Sequence, residues 1–378
     1  MPRHGSNIKQ TSGGRWQASY RKLDGNEVSK TFDKRVDAAR WRREGLAARD
    51  RGGLIDPRAG RITVREYGER WRLAQLQHRP STRRLVELTL RKHIYPHIGD
   101  RAMNRVLRSD VQALVKRWED EGSAPRSIRD TWYGFLRSLF AAAVNDDVIS
   151  RSPCVDIKLP EVVDAQLVPL TASQVHDLAG AIDPRFRAAV LLGYGCGPRV
   201  SEAAGLTRPN IDFLGREIAI TQQLGPYAPY PLIPLKNSRR RPSRVVPVPA
   251  YVREALSEHI RRYGTGDREL IFTATQGGPA TASAIGAAFR QARKKVGLGK
   301  EVTYHDLRHS YASEMLVQGL SVVEVAELIG DTVAMVEKTY GHPTVDFRKR
   351  ARLAVEAAWS PVAEPMRSVE GGKPGDLR

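Results

Sequence analysis

The chain has 378 residues, with 61 lysines and arginines against 42 aspartates and glutamates, and a formal charge of +19. Its 41% hydrophobic content is enough for sizeable cores, which excludes a disordered basic tail. Its length indicates two or three domains. Excess positive charge favours a polyanionic partner, most often nucleic acid, although a basic protein without such a partner can carry the same charge.

Cysteine usage and hydropathy exclude other classes. Cys154 and Cys196 lie too far apart in sequence for metal-ligand spacing and form no disulfide framework. No run approaches the ~18 apolar residues that span a membrane, and the first residues lack the apolar stretch of a signal peptide. These features predict a cytoplasmic protein with no membrane partner and no metal site.

Residues 1–60 predict a small α+β unit that carries 14 basic and 7 acidic residues. Alternating stretches at 15–21 and 28–32 flank the turn signal at 23–26, and a helical pattern follows from about 34 to 48. A β-sheet can read a DNA groove, so DNA binding is favoured over a plain stabilising extension. The basic residues that this sheet would present are Arg15, Arg21, Lys22 and Lys30.

A glycine-rich linker at 52–60 leads into a helical region at 61–160, which has 19 basic and 12 acidic residues. Helices are predicted to begin near Val64, Ser81, Ser109 and Pro125, and the last carries an aromatic series with the spacing of a core. The candidate phosphate contacts, which as single residues can equally be solvated surface charges, are Arg79, Arg83, Arg84 and Arg91.

A second linker begins near 152 and ends near 167. The pattern then predicts a mixed α/β domain over 165–360 and a disordered tail at 361–378. Thr171 and Gln174 have capping-box spacing at the start of a helix. Short strands are predicted at 217–221 and 245–248, with a segment rich in proline and arginine between them. The other predicted helices cover 184–194, 249–263, 282–296, 305–318, 322–329 and 347–359.

Three motifs in this last region carry chemistry. One runs from Gly195 through Arg199 to Glu202, the second is Tyr304-His305-Asp306-Leu307-Arg308-His309-Ser310, and the third is Glu337-Lys338-Thr339-Tyr340-Gly341-His342. Residues three apart share a helix face, so His305 and Arg308 can hold two oxygens of one phosphate. A tyrosine in a basic setting is a candidate nucleophile for that phosphate. The combination resembles the tyrosine recombinase family of phage-type integrases, closely from 168 to 359 and loosely upstream.

The resemblance implies a role for each residue of the motifs. Arg199 and Arg308 would clamp the scissile phosphate, and Glu202 would orient Arg199. His305 would bond the phosphate or manage the proton of the nucleophile, Tyr340. Lys236, an isolated lysine in a loop between strands, would be the general acid, with a solvated surface lysine as the alternative. His309 is expected to give structural support.

Asp331 departs from the family pattern. The family usually has Leu-Gly-His before the helix of the nucleophile, whereas this sequence has Leu328-Ile329-Gly330-Asp331. An ionised carboxylate would repel a phosphate, so Asp331 is expected either to cap the next helix or to hold another group of the site in place.

The resemblance implies a mainly α fold with small β-sheets: an arm-type DNA-binding unit at 1–60, a helical core-binding domain at 61–160 and a catalytic domain at 165–360. It implies a site-specific recombinase that cuts and rejoins DNA through a 3′-phosphotyrosyl intermediate, without cofactor, and integrates a phage or other mobile element. The implied partners are double-stranded DNA attachment sites, further copies of the chain in a tetramer, and accessory DNA-bending and directionality factors. A degenerate relative that only binds DNA and a type IB topoisomerase-like enzyme are the alternatives.

Overall fold

The structure is a computed structural model that describes residues 8–21, 27–50, 58–163, 168–236 and 241–340, together with 352, 355 and 356. The chain separates into two compact units, Met1–Ala165 and Gln166–Arg378. Each unit has its own cluster of buried apolar side chains. A further boundary near residue 60 stays a prediction.

Several features expected from the sequence lie outside the described residues. They are Lys22, the turn at 23–26, most of the linker at 52–60 and the tail at 361–378. The helix expected at 347–359 is described only at Arg352, Val355 and Glu356, where the backbone is helical.

The first unit begins with an antiparallel sheet in the order β1 (Ile8–Gln10), β2 (Trp16–Arg21), β3 (Glu27–Phe32), followed by α1 (Arg35–Asp50). Trp41 of α1 packs on the rings of Tyr20 and Phe32, with centroids 5.0 and 5.7 Å away. Alternation along β2 buries Ala18 and Tyr20 towards this helix and leaves the residues between them on the uncovered face.

The strand register separates the basic residues of the sheet. Lys30 pairs with Ala18, and cross-strand partners share a face, so Lys30 belongs to the side covered by α1, where its Nζ lies 5.4 Å from the Phe32 ring centroid. Arg21 pairs with Glu27 on the opposite, uncovered face. The two residues therefore cannot contribute equally to one surface.

The rest of the first unit is helical. Thr63 caps its first helix through a reciprocal bond with Glu66, as a capping box requires. The expected core series is present, since Leu136, Leu139 and Phe140 are fully buried and the partly buried Trp132 and Phe135 pack against them. Its helices are α2 (Val64–Ala74), α3 (Pro80–Thr89), α4 (Tyr95–Ile98), α5 (Arg108–Asp120) and α6 (Tyr133–Asn145), with π-helical turns at Leu90–Ile94 and Ser127–Trp132.

The second unit contains α7 (Ala172–Ala181), α8 (Pro184–Cys196), α9 (Val200–Ala204), β4 (Ile211–Asp212), β5 (Glu217–Ile220), β6 (Gln222–Leu224), β7 (Leu232–Pro234), β8 (Arg244–Pro247), α10 (Ala250–Tyr263), α11 (Ala282–Lys295), α12 (Tyr304–Val317), α13 (Val322–Ile329) and α14 (Val333–Tyr340). The antiparallel sheet β4-β5-β8 contains both expected strands. The hairpin of β6 and β7 was not expected, because its strands have three residues each and one ends in proline.

Helix α8 forms the centre of this unit and anchors the helix that carries the second motif. Its residues Ala189, Val190 and Leu192 are buried. The hydroxyl of Tyr304, at the start of α12, donates to the Ala189 carbonyl at 2.7 Å. The N-terminal turn of α12 is thereby bonded to the middle of α8, the helix that leads to Arg199.

Candidate active site

The first arginine stands at a sharp turn between two helices. Gly197 ends α8 with φ of +64°, and a Cβ there would lie 2.5 Å from the ring of Tyr311, so only glycine fits. Arg199 directly precedes α9. Its backbone N–H and its Nη1 donate to the two oxygens of Glu202 at 3.0 and 2.9 Å. These two bonds hold the Arg199 side chain beside Glu202. The role expected for Glu202, which is to orient Arg199 towards a phosphate, stays a prediction.

The second arginine lies on α12 and is almost completely buried. Arg308 of α12 donates through Nη1 to the Gly197 carbonyl at 2.9 Å. Burial and the nearby Arg199 lower the pKa of Arg308 to about 10, which still leaves it a cation at neutral pH. The turn at Gly197 thus connects the two arginines, since it precedes Arg199 and accepts a bond from Arg308.

Asp331 lies between the two guanidinium groups. Its Oδ2 accepts from Arg199 Nη2 at 3.0 Å and from Arg308 Nη2 at 3.2 Å. Its Oδ1 accepts from the backbone N–H of Thr332, whose own hydroxyl accepts from the N–H of Met335 in α14. Asp331 therefore contacts two other groups of the site, and Thr332 caps the helix. The role of Asp331 in the reaction stays a prediction.

Arg244 is a member of this cluster that the sequence analysis missed. It lies on β8, donates to Glu202 Oε2 at 2.6 Å and to the Leu328 carbonyl at 2.8 Å, and its side chain is 4% exposed beside a Glu202 that is 1% exposed. The alternation of β8 could have indicated that Arg244 is buried, because it lies on the same inward face as Val246. An arginine on the buried face of a strand requires a buried anion.

Burial and ion pairing act in opposite directions on Glu202. Burial alone would raise the pKa of this carboxyl, but Arg244 and Arg199 outweigh it and hold the pKa below its ordinary value. Glu202 is therefore ionised at neutral pH. The charges alternate from Arg244 through Glu202, Arg199 and Asp331 to Arg308, so each anion separates two cations.

The hydroxyl of Tyr340 meets His309 instead of His305. His309 Nδ1 lies 2.5 Å from the Tyr340 oxygen. Burial lowers the pKa of His309, so its imidazole is neutral at pH 7 and can accept a proton. Burial raises the pKa of Tyr340 to about 12 despite the opposing effect of Arg308, so the phenol needs such an acceptor. The structure thus assigns His309 a contact that the sequence analysis had considered for His305.

His305 lies beside this pair. Its ring is 4.5 Å from that of His309 and nearly perpendicular to it, since residues four apart share a helix face. Burial, with the neighbouring His309 and Arg308, lowers the pKa of His305 to about 4, so it is neutral at pH 7. A neutral imidazole can donate one hydrogen bond to a phosphate oxygen.

Lys236 is exposed and lies two residues after the end of β7. The next four residues of its loop lie outside the described part of the chain, so its role as general acid stays a prediction. The candidate DNA contacts of the first unit other than Lys22, which lies outside the described residues, are also exposed. Several already have partners within the protein, among them Arg15, which pairs with Asp33 at 2.8 Å. Arg83 donates to the His78 carbonyl, and Arg91 pairs with Glu87 at 3.1 Å.

The described residues contain no group of three or more histidine, cysteine, aspartate or glutamate side chains that could hold a metal ion. Over the same residues, no helix is long and apolar enough to cross a membrane. What the site offers is two arginines that converge on one anion and a tyrosine that contacts a neutral histidine. Such donors can stabilise charge that develops on a phosphate while a hydroxyl attacks it.

The sequence matches known families over most of its length. Residues 169–346 match the phage integrase family, and residues 5–51 match the phage integrase N-terminal domain. The tyrosine recombinase XerC of Xylella fastidiosa (strain M23) is 30% identical over 265 residues, which are 68% of this chain and 83% of that protein. The putative prophage phiRv2 integrase of Mycobacterium tuberculosis (strain CDC 1551) is 27% identical over 350 residues, 89% of this chain and 90% of that protein.

A solved structure has the same fold. The integrase of the Tn1549 transposon, in complex with a circular intermediate DNA, is similar with a TM-score of 0.68 at 23% identity, over 78% of this chain and 99% of that one. This chain belongs to the phage integrase family of tyrosine recombinases, enzymes that cleave and rejoin DNA at specific sites. The resemblance inferred from the three motifs is confirmed.

Proposed function

We propose that this recombinase cuts DNA with Tyr340, holds the cut strand as a 3′-phosphotyrosyl ester, and integrates a phage or another mobile element at double-stranded attachment sites. One observation carries the proposal. Arg199 and Arg308 direct N–H groups at the same anionic oxygen, and Arg308 is followed in α12 by the histidine that contacts the Tyr340 hydroxyl. This is an arrangement for a tyrosine to attack a phosphate.

The chemistry follows from these contacts. Tyr340 attacks phosphorus as its proton passes to His309, and the two guanidinium groups offset the charge on the pentacovalent phosphorane. The 5′-oxygen of the cut strand leaves with a proton, which we assign to Lys236. The tyrosyl ester conserves the energy of the broken bond, so a 5′-hydroxyl of a partner strand can reverse the reaction and release the phenol.

A suicide substrate tests the nucleophile. Attachment-site DNA with a nick just downstream of the scissile phosphate loses the short fragment that carries the new 5′-hydroxyl after cleavage, so the reverse reaction is prevented and the covalent adduct accumulates. Tyr340→Phe should bind this DNA and form no adduct, whereas Tyr251→Phe, a control on α10 that also removes one phenol hydroxyl, should form the adduct at the wild-type level. An undiminished adduct in Tyr340→Phe would show that another residue attacks, and no adduct in the wild type would favour a relative that only binds DNA.

We also propose that the N-terminal sheet reads a second class of site, the arm site. The match to the integrase N-terminal domain and the uncovered face that carries Arg21 support this. Arg21→Glu should remove part of the footprint on attachment-site DNA. Lys30→Glu, an equal charge change on the side covered by α1, should change it much less. Equal losses in both variants would mean that the sheet does not present one DNA-reading face.

Recombination between two duplexes requires four strand cuts. Because each chain supplies one Tyr340, we propose a tetramer on DNA, with DNA-bending and directionality proteins as further partners. Sedimentation with paired attachment sites tests this assembly. A complex that recombines with fewer than four chains would refute it.

A further inference from the structure

The carboxylate of Asp331 stands where a substrate anion is expected. One of its oxygens accepts N–H bonds from both Arg199 and Arg308, at 3.0 and 3.2 Å. Two guanidinium groups that converge on one oxygen are the usual way to hold an oxygen of a phosphate. Asp331 therefore satisfies the donors that the proposed reaction needs for DNA.

Asp331 differs from Glu202 in its freedom to leave. The side chain of Glu202 is 1% exposed and lies between two arginines, whereas that of Asp331 is 28% exposed. The Oδ1 of Asp331 is already bonded to the Thr332 N–H at 3.1 Å, so the side chain can turn towards solvent and keep one bond. Burial thus keeps Glu202 beside Arg199, whereas the more exposed Asp331 can be replaced by another anion.

We propose that Asp331 is an internal competitor for the scissile phosphate, which closes the site until a correctly placed phosphate displaces it. This inference rests on the proposed function. A phosphate that contacts only one arginine cannot replace both of the bonds that Asp331 makes. The exchange is favourable only for a phosphate that reaches both arginines, so Asp331 makes cleavage depend on the position of the DNA backbone.

The exchange is connected to the nucleophile through the chain. Asp331 follows Gly330, which ends α13 with φ of +64°, and precedes Thr332, which caps α14. Tyr340 is the last residue of α14. A movement of Asp331 away from the arginines is thus transmitted to the first turn of the helix that carries the nucleophile.

Inorganic phosphate is the probe. The full-length protein is unfolded thermally over a range of phosphate concentrations at constant ionic strength, and the concentration that gives half of the stabilisation is compared between variants. Asp331→Asn removes the competing charge and keeps the shape, and Asp331→Ala removes the side chain beyond Cβ. Asp177→Asn removes one exposed carboxylate of α7 and is the control for overall charge. An Arg199→Ala, Asp331→Asn double variant reports phosphate bound elsewhere.

Both Asp331 variants should need roughly tenfold less phosphate than the wild type, or less still, because each lost charge-assisted bond is worth about that factor. Asp177→Asn should match the wild type, and the double variant should lose the gain. Equal phosphate requirements in Asp331→Asn and Asp177→Asn would overturn the proposal. Variants that fold only with phosphate would support it, and variants that fold in neither buffer would show that Asp331 is a permanent structural tie.

The adduct assay keeps the two proposals separate. A wild type that forms the Tyr340 adduct, with an Asp331→Asn variant that shows no gain in phosphate affinity, would leave the proposed function intact and refute the competitor. A wild type without adduct would refute the function itself.

Discussion

Replacing Arg244 with alanine should destabilise the second unit far more than removing an arginine from an ion pair of equal length at the surface. Arg244 and Glu202 are joined at 2.6 Å with side chains that are 4% and 1% exposed. Arg261 and Glu258 on α10 are also joined at 2.6 Å, but their side chains are 75% and 52% exposed. The two pairs differ mainly in burial, which makes Arg261→Ala the matched control.

The expected magnitudes differ severalfold. Removal of one partner of a buried pair costs about 3–5 kcal/mol, because the other charge remains buried, and Arg244→Ala also leaves the Leu328 carbonyl without this donor. Removal of one partner of an exposed pair costs about 0–1 kcal/mol. For a unit of this size, about 4 kcal/mol lowers the unfolding midpoint by roughly 10 °C.

The chain offers an internal reference for the assay. Five of the six tryptophans lie in the first unit, at positions 16, 41, 71, 118 and 132, so tryptophan fluorescence reports mainly its unfolding. Circular dichroism reports both units. Arg244→Ala should shift the dichroism transition of the second unit and leave the fluorescence transition in place. Equal losses in Arg244→Ala and Arg261→Ala, or a loss below about 1 kcal/mol in both, would refute the argument from burial.

Three further results are expected. The rate of single-turnover cleavage by the wild type should stay level from pH 8 down to the ordinary pKa of histidine, about 6.5, and should decrease only at lower pH. The reason is that the pKa of His309 is lowered, so the neutral imidazole that accepts the Tyr340 proton is lost only as the pH falls through that lowered pKa. His309→Asn should lower the rate by roughly 10²–10⁴-fold and abolish the decrease at acid pH. The control variant at an exposed position, His176→Gln, should keep both, and an unchanged acid decrease in His309→Asn would assign it to another group. Gly330→Ala should cost more stability than Gly264→Ala, since both residues have positive φ but only at Gly330 would a Cβ meet a neighbour, Arg244 Nη1 at 2.8 Å; equal costs would mean that this contact relaxes freely. Lys236→Ala should slow cleavage strongly, and a 5′-phosphorothiolate, whose leaving group needs no proton, should restore it; no rescue would point to a positioning role.

Elements with a long repeat or a local capping signal were predictable from the sequence. The helix expected at 322–329 has those bounds, and the capping pair Thr171 and Gln174 forms as expected. The β6–β7 hairpin was not predictable, because three-residue strands have too short a pattern to separate from a loop.

The residues of the site also divide into those with a local sequence signal and those without one. Arg199, Glu202 and Arg308 could be proposed from the sequence because each lies within a local motif. The contact of His309 with Tyr340 joins residues of two helices that are 31 positions apart in the sequence, and no spacing in the sequence chooses between His305 and His309. Asp331 was recognised as a departure, but only the fold shows that both arginines converge on it.

The burial of Glu202 and Arg244 also separates two effects of ionic strength. Salt screens exposed charges over about 8 Å at physiological concentration and screens buried pairs much less. DNA affinity should fall steeply with salt, since each phosphate contact adds about −0.9 to the slope of log affinity against log salt concentration. The alignment of Arg199 rests on a pair that is 1% and 4% exposed, so the rate constant of cleavage in complexes already formed should stay nearly constant over the same range. High salt would then release the enzyme from DNA and leave the arrangement of its catalytic residues intact.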